Sequence, residues 1–114
     1  MNSFNANATV VRKPEVRYVN GDLAVCDLDV VINNREKKKD EWVDDPVFIS
    51  VSYWGKAASY LGEEAEKGDK ISLTGKIVQR NWEDKEGRKR STYKVVADRT
   101  NFPILMGRKA RSGG

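Results

Sequence analysis

From Phe4 to Val10 the chain alternates, with Phe4, Ala6, Ala8 and Val10 on one parity and Asn5, Asn7 and Thr9 on the other. A period of two marks a strand with one buried face. The period returns in "LAVCDLDVVIN" (23–33), where Cys26, Leu28, Val30 and Ile32 make the core side and Asp27, Asp29 and Val31 lie opposite. It returns in "VFISVSYWGK" (47–56), where Val47, Ile49, Val51 and Tyr53 form a core set. Phe48, Ser50, Ser52 and Trp54 point the other way. Two large aromatics above small serines are wasteful on a face that meets only water. "KISLTGKIVQRNW" (70–82) turns Ile71, Leu73 and Ile77 inward, with Gly75 suited to a bend. "STYKVVADRTNF" (91–102) reads as the last strand.

The segments between are punctuated by turn chemistry. Pro14 breaks the first strand, and Asn20-Gly21 is a strong turn signal. "NREKKKDEWVDD" (34–45) holds four basic and five acidic residues and reads as an exposed hairpin loop. "EDKEGRKR" (83–90) reads as a second polar hairpin loop around Gly87. In "KAASYLGEEAEKGD" (56–69) the spacing becomes helical: Ala58, Leu61 and Ala65 share a face, Gly62 weakens the helix, and Gly68 ends it. Five short strands cannot leave their edges bare. The order therefore predicts an all-β, five-stranded Greek-key barrel of the oligonucleotide/oligosaccharide-binding (OB) type. One short helix lies between strands 3 and 4, plugging one end, and long hairpins project. Residues 1–105 form this single domain. Residues 106–114 read as a disordered basic end, or as the start of a truncated tail.

Composition narrows the chemistry. At 114 residues the chain can bury a core without staples. No apolar run approaches a membrane span, and no signal peptide is visible at the N-terminus. With one cysteine and no histidine, neither a disulfide framework, nor the usual metal clusters, nor a His-based triad can be built within the chain. The expectation is no catalytic site, no metal and no cofactor. Net charge is +4, but Arg108, Lys109 and Arg111 carry three of those charges, leaving +1 for residues 1–107. An anionic partner must be held by local arrangement.

The outward residues now form a set. Trp54 ends the third strand, and Phe48 shares its face. Trp82 ends the fourth, in phase with Lys76, Val78 and Arg80. Unpaired bases stack on such aromatics whatever their sequence, and neighbouring lysines and arginines meet the phosphates. The rival reading packs the aromatics under the hairpins or into a subunit interface.

Six stretches in order carry a resemblance over roughly residues 1–104: "PEVRY" (14–18), "LAVCDLDVVIN" (23–33), "YWGK" (53–56), "KGDKISLTGKI" (67–77), "RNWEDKEGRKR" (80–90) and "YKVVAD" (93–98). The chain resembles the bacterial-type single-stranded DNA-binding proteins. The resemblance implies that Phe48, Trp54 and Trp82 stack bases. It implies that Arg17, Lys56, Lys76, Arg80, Arg88, Lys89 and Arg90 meet phosphates. The family often carries a further aromatic where this chain has Glu36, and Trp42 either substitutes for it or caps the loop. Asp27 and Asp29, on the non-core side, face a partner subunit or solvent.

The partner this implies is single-stranded DNA, bound with little sequence preference during replication, repair and recombination. The alternative is a related OB module that binds single-stranded RNA, or that acts as a primosome or protein-interaction adaptor. One domain offers few stacking residues, so wrapping a strand favours a homotetramer. Replication and repair proteins become partners if a C-terminal tail was removed. A bacterial member works in the cytoplasm on the nucleoid, and phage and organellar origins stay open.

Overall fold

A computed structural model describes residues 1–98 and 102–106. Its elements are β1 (Phe4–Val10), β2 (Val16–Val19), β3 (Leu23–Lys38), β4 (Glu41–Trp54), α1 (Lys56–Glu64), β5 (Lys70–Glu83), β6 (Lys89–Ala97) and β7 (Ile104–Met106). Strands pair in the order β1-β3-β4-β6-β5, and β5 returns to β1. That circuit is the expected closed five-stranded barrel. Its helix lies between the third and fourth barrel strands, which are β4 and β5 along the chain. All pairings are antiparallel except β4 with β6, a short parallel join at Val51↔Val95 and Ser52↔Val96.

The buried face follows the alternation. Ala8 and Val10 from β1, Cys26, Leu28 and Val30 from β3, and Val51 and Tyr53 from β4 enter one cluster. Ile71 and Leu73 from β5 and Val95 and Ala97 from β6 complete its wall. Ala58, Leu61 and Ala65 close the end of the barrel, as their helical spacing predicts.

The structure departs from the sequence reading in four places. The expected charged loop 34–45 is mostly strand: β3 and β4 stay paired from Val25↔Trp54 out to Lys38↔Glu41. Only Lys39 and Asp40 turn, both at positive φ (47° and 66°), as a two-residue hairpin turn of matching twist requires. The apolar alternation fails to mark this ribbon because it leaves the barrel and has no core to face. Val47, 41% exposed, and Ile77, 38% exposed, lie where the hairpins depart. Second, a short strand, β2, precedes the Asn20-Gly21 turn and pairs with β3 from Val16↔Cys26 to Val19↔Leu23. Third, the last barrel strand ends at Ala97, and β7 adds to the start of β5 at Ser72↔Ile104. The basic end, including Arg108, Lys109 and Arg111, falls outside the described residues.

Fourth, α1 stops at Glu64 with Ala65 as its C-cap, before the expected Gly68. Gly62 also has a packing role. A Cβ there would sit 2.2 Å from Val16 Cγ2, so the glycine lets α1 and β2 pack closely. Gly75 plays the stricter role. It pairs with Phe4 on one side and Ala97 on the other. A Cβ would lie 2.4 Å from the Val96 carbonyl oxygen and 2.8 Å from Val95 Cγ1. Backbone cannot yield as a side-chain tip can. Gly75→Ala should therefore destabilise the fold by roughly 1–3 kcal/mol, the usual scale of overpacking, read as a lowered urea midpoint.

Burial pushes the Cys26 thiol up to about 11, and the neighbouring Asp27 charge adds to the shift. The native protein should therefore react slowly with a thiol reagent at neutral pH, at the rate of global or local opening. The unfolded thiol ionises near its ordinary 9.0, whereas the folded thiol waits until about 11. Stability from this group is thus full below the lower value and erodes as pH rises through the interval. A chemical melt at stepped pH reads that loss.

Candidate nucleic-acid interface

The strand parity opposite the core builds an outer sheet surface across β3, β4, β6 and β5. Register sets its composition. Asp27 faces Ser52, Asp29 faces Ser50, and Val31 faces Phe48 across β3 and β4. Lys76 faces Val96, Val78 faces Lys94, Arg80 faces Thr92, and Trp82 faces Arg90 across β5 and β6. Both hairpins run past the end of the barrel, so aromatic rings there have no apolar layer to enter. Phe48 is 69% exposed and Trp82 49%, while Trp54 is half-buried.

The expected site residues gather in separate recesses. Phe48 and Arg80 line a groove of about 520 Å³ together with Arg12, Asp29, Ser50 and Lys94. Trp54 and Lys56 line another beside Leu23, Tyr53 and Phe102. Trp82, Lys89 and Arg90 share a third. Lys76 stands apart, beside Asn2 and Thr74. Arg17 on β2 lies against Asp27, and Arg88 sits in the β5–β6 turn against Glu86.

That turn is organised by one carboxylate. The Arg88 and Glu86 backbone N–H groups both donate to Asp84 Oδ1 (2.9 Å each), and Arg90 Nε donates to Oδ2 at 3.1 Å. The Arg88 backbone bond leads the forces that hold the Asp84 carboxyl below its usual range. Arg90 is thereby placed beside Trp82 by a partner in the turn.

Trp42 lies on the face of the ribbon opposite to Glu36, in strand rather than loop. It stands near the ribbon's end, 60% exposed, with the Arg35 guanidinium carbon 5.6 Å from its ring centroid. It shares the parity of Phe48 and Trp54, whereas Glu36 lies on the opposite parity, paired with Val43.

Asp27 and Asp29 are engaged within the chain. Ser52 Oγ donates to Asp27 Oδ1 at 2.6 Å, with Lys94 Nζ at 3.3 Å from the same oxygen and Arg17 Nη1 at 3.0 Å from Oδ2. Ser50 Oγ donates to Asp29 Oδ1 at 2.5 Å, and Arg12 Nε lies 3.3 Å from Oδ2. The two small serines between Phe48 and Trp54 therefore fix the two carboxylates across the strand pair.

The sequence reading did not single out Arg12, Tyr93 and Lys94, which line the Phe48 groove, or the exposed Tyr18. Lys94 was accessible to it, because it shares the outer parity of Arg90 and Thr92. Tyr93 was not, because it has core parity and is exposed (64%) only where β6 has left the barrel. Among the described residues no cluster of His, Cys, Asp and Glu suited to a metal ion occurs, and no helix is long and apolar enough to cross a membrane.

Comparison with known proteins now decides the lineage. The sequence model of the Single-strand binding protein family matches residues 1–103. The chain belongs to that family. A relative named single-stranded DNA-binding protein, from Treponema pallidum, is 32% identical over 96 residues, covering 84% of this chain and 53% of its own length. Single-stranded DNA-binding protein 1 of Synechocystis is 31% identical over 109 residues, covering 96% of this chain and 86% of its own. The chain spans about half the length of several such relatives, 46% for the one from Corynebacterium glutamicum. A crystal structure of a deletion mutant of the Thermus aquaticus single-stranded DNA binding protein aligns with a TM-score of 0.77. Identity there is 26%, over 97% of this chain and 52% of that one. A Plasmodium falciparum family structure in complex with single-stranded DNA shares the fold at TM-score 0.80 and 14% identity, over 92% of both chains.

Within this family frame the Asp27 carboxyl makes a direct check on the geometry. Burial pushes it up, but the Ser52 hydroxyl, Arg17 and Lys94 outweigh burial and hold it below 3.8. Its folded value is depressed, so its stabilising contribution is present above the unfolded carboxylate range and is lost as pH falls through the folded value. Ser52→Ala should raise the Asp27 titration midpoint, read by carboxyl-carbon NMR. An unmoved midpoint would break the link between serine and carboxylate.

Proposed function

We propose that the chain binds and protects single-stranded DNA without catalysis and with little sequence preference, serving replication, repair and recombination. The observation that carries this reading is the exposure of Phe48 and Trp82 on open strand faces, each in a recess shared with cations. Rings held in water beside arginines suit bases and phosphates better than a packed core. The family match and the names of the relatives support the same partner.

In this reading Phe48, Trp54 and Trp82 stack bases. Lys56, Lys76, Arg80, Arg88, Lys89 and Arg90 meet phosphates. Arg17 belongs to the same cationic set but is held by Asp27. The Arg88–Glu86 ion pair, exposed on both partners, is weak in water and can be exchanged for phosphate. Residues 1–105 are the binding domain and 106–114 its basic end. Four copies assemble so that one strand can cross several stacking faces, in the cytoplasm on the nucleoid if the source is bacterial. Light scattering at micromolar concentration tests the tetramer, and a monomer mass removes it.

Tryptophan fluorescence titration with a long homopolymer of thymidine tests the function, with a matched RNA as the competitor. Fluorescence should fall to saturation with DNA. Tighter binding to RNA, or no quenching even at low salt, overturns the reading. Trp54→Ala and Trp82→Ala should each weaken binding at every salt by roughly 1–3 kcal/mol per base lost, a scale established on binding proteins of this same kind. Affinity should also fall with salt, with a logarithmic slope of about −0.7 per phosphate contact. Ending the chain after Met106 should weaken binding mainly at low salt. If that truncation abolishes binding and Trp54→Ala does not affect it, the basic end is the site.

A further inference from the structure

A surface for phosphate is a poor place for carboxylates, yet Asp27 and Asp29 stand in the middle of this one. The core does not call for them, since they lie on the parity opposite Cys26, Leu28 and Val30. Asp29 lines the same groove as Phe48 and Arg80, with Arg12 and Lys94 beside it. Each carboxylate accepts from a serine hydroxyl and from one or two cations, the same donors that hold a phosphate oxygen. Serines 50 and 52 are the direct cross-strand partners of Asp29 and Asp27, so each carboxylate is anchored by register, independently of its cations.

We propose that Asp27 and Asp29 act as built-in competitors of phosphate. They retain Arg12, Arg17 and Lys94, keep those three cations off the bound strand, and so set its affinity below what the outer sheet would otherwise reach. This rests on the proposed binding of single-stranded DNA and names what tunes it. Stacking is untouched by the competition, so the strand is held chiefly by its bases along this strip and by phosphate contacts at the rims. The arrangement also has a stoichiometry: Asp27 holds two cations, Arg17 and Lys94, while Asp29 holds one, Arg12.

The stoichiometry makes the test sharp. Asp27→Asn and Asp29→Asn keep an oxygen for the serine and remove the charge. Their binding to a thymidine homopolymer should be tighter than that of the unaltered protein. The logarithmic salt slope should steepen by about 1.4 for Asp27→Asn and about 0.7 for Asp29→Asn. For the double variant the gain should shrink roughly 18-fold between about 50 and about 200 mM salt. Asp22→Asn, which removes one exposed charge from the β2–β3 turn, is the control for net charge alone. Equal effects at Asp22, Asp27 and Asp29, or weaker binding by the asparagine variants, overturn the proposal. If those variants do not fold, Lys94→Gln in the unaltered protein decides: its salt slope should stay the same, and a slope shallower by about 0.7 shows Lys94 already on phosphate and overturns the proposal. These failures leave the binding reading standing. An unaltered protein that binds no oligonucleotide removes both.

Discussion

Closure of the barrel depends on a seven-residue strand that hydrogen-bonds in two directions. β1 lies along β5 from Phe4↔Gly75 to Thr9↔Lys70, and its last residues join β3 at Thr9↔Val31 and Val10↔Val30. Without that seam, β3 and β5 would each carry an open edge, the natural template for unwanted pairing. With it, Ala8 and Val10 face Leu28, Ile71 and the other wall residues in one enclosed core. The glycine at position 75 belongs to the same constraint, because β5 passes there from its β1 neighbour to its β6 neighbour with no room for a side chain.

Closure also explains the exposed surface. Inside the barrel, parity separates core from solvent. Past its rim, both parities meet water, and the chain can place rings there at the cost of leaving apolar area hydrated. Phe48, Trp82 and Tyr93 all lie on hairpin segments beyond that boundary. The charges between them are balanced locally, which fits a body of net charge near neutrality: Asp84 orders Arg90, and Asp27 and Asp29 order Arg17, Lys94 and Arg12. A surface built this way presents cations at its edges and mixed pairs along its middle.

How much of this was legible follows from the same boundary. Cys26, Leu28, Val30, Val51, Tyr53, Ile71 and Leu73 were readable as core because alternation and burial coincide there. The helix was readable from Ala58, Leu61 and Ala65. The outer parity of Phe48, Trp54 and Trp82 was readable too, and with it the likeness to a known family. The ribbon was not, since a strand pair with water on both sides carries no apolar period. Nor was the reason for Gly62, which depends on Val16 arriving from a strand too short to announce itself. The serines and aspartates were visible on their faces, but their bonds depend on cross-strand register, which no single segment contains.

The unbroken pairing of β3 with β4 has a consequence for how such chains can change length. Ten consecutive pairs run from the buried match Leu28↔Val51 to the exposed match Lys37↔Trp42 without a bulge. The core therefore chooses the facing of a tryptophan that never touches it. Inserting two residues into each arm lengthens the ribbon and preserves every facing beyond the insertion. Inserting one into each arm sends Trp42 and Arg35 to the opposite side, because strand faces alternate residue by residue. Length variation in this hairpin is thus filtered by parity, and the filter sits in the barrel.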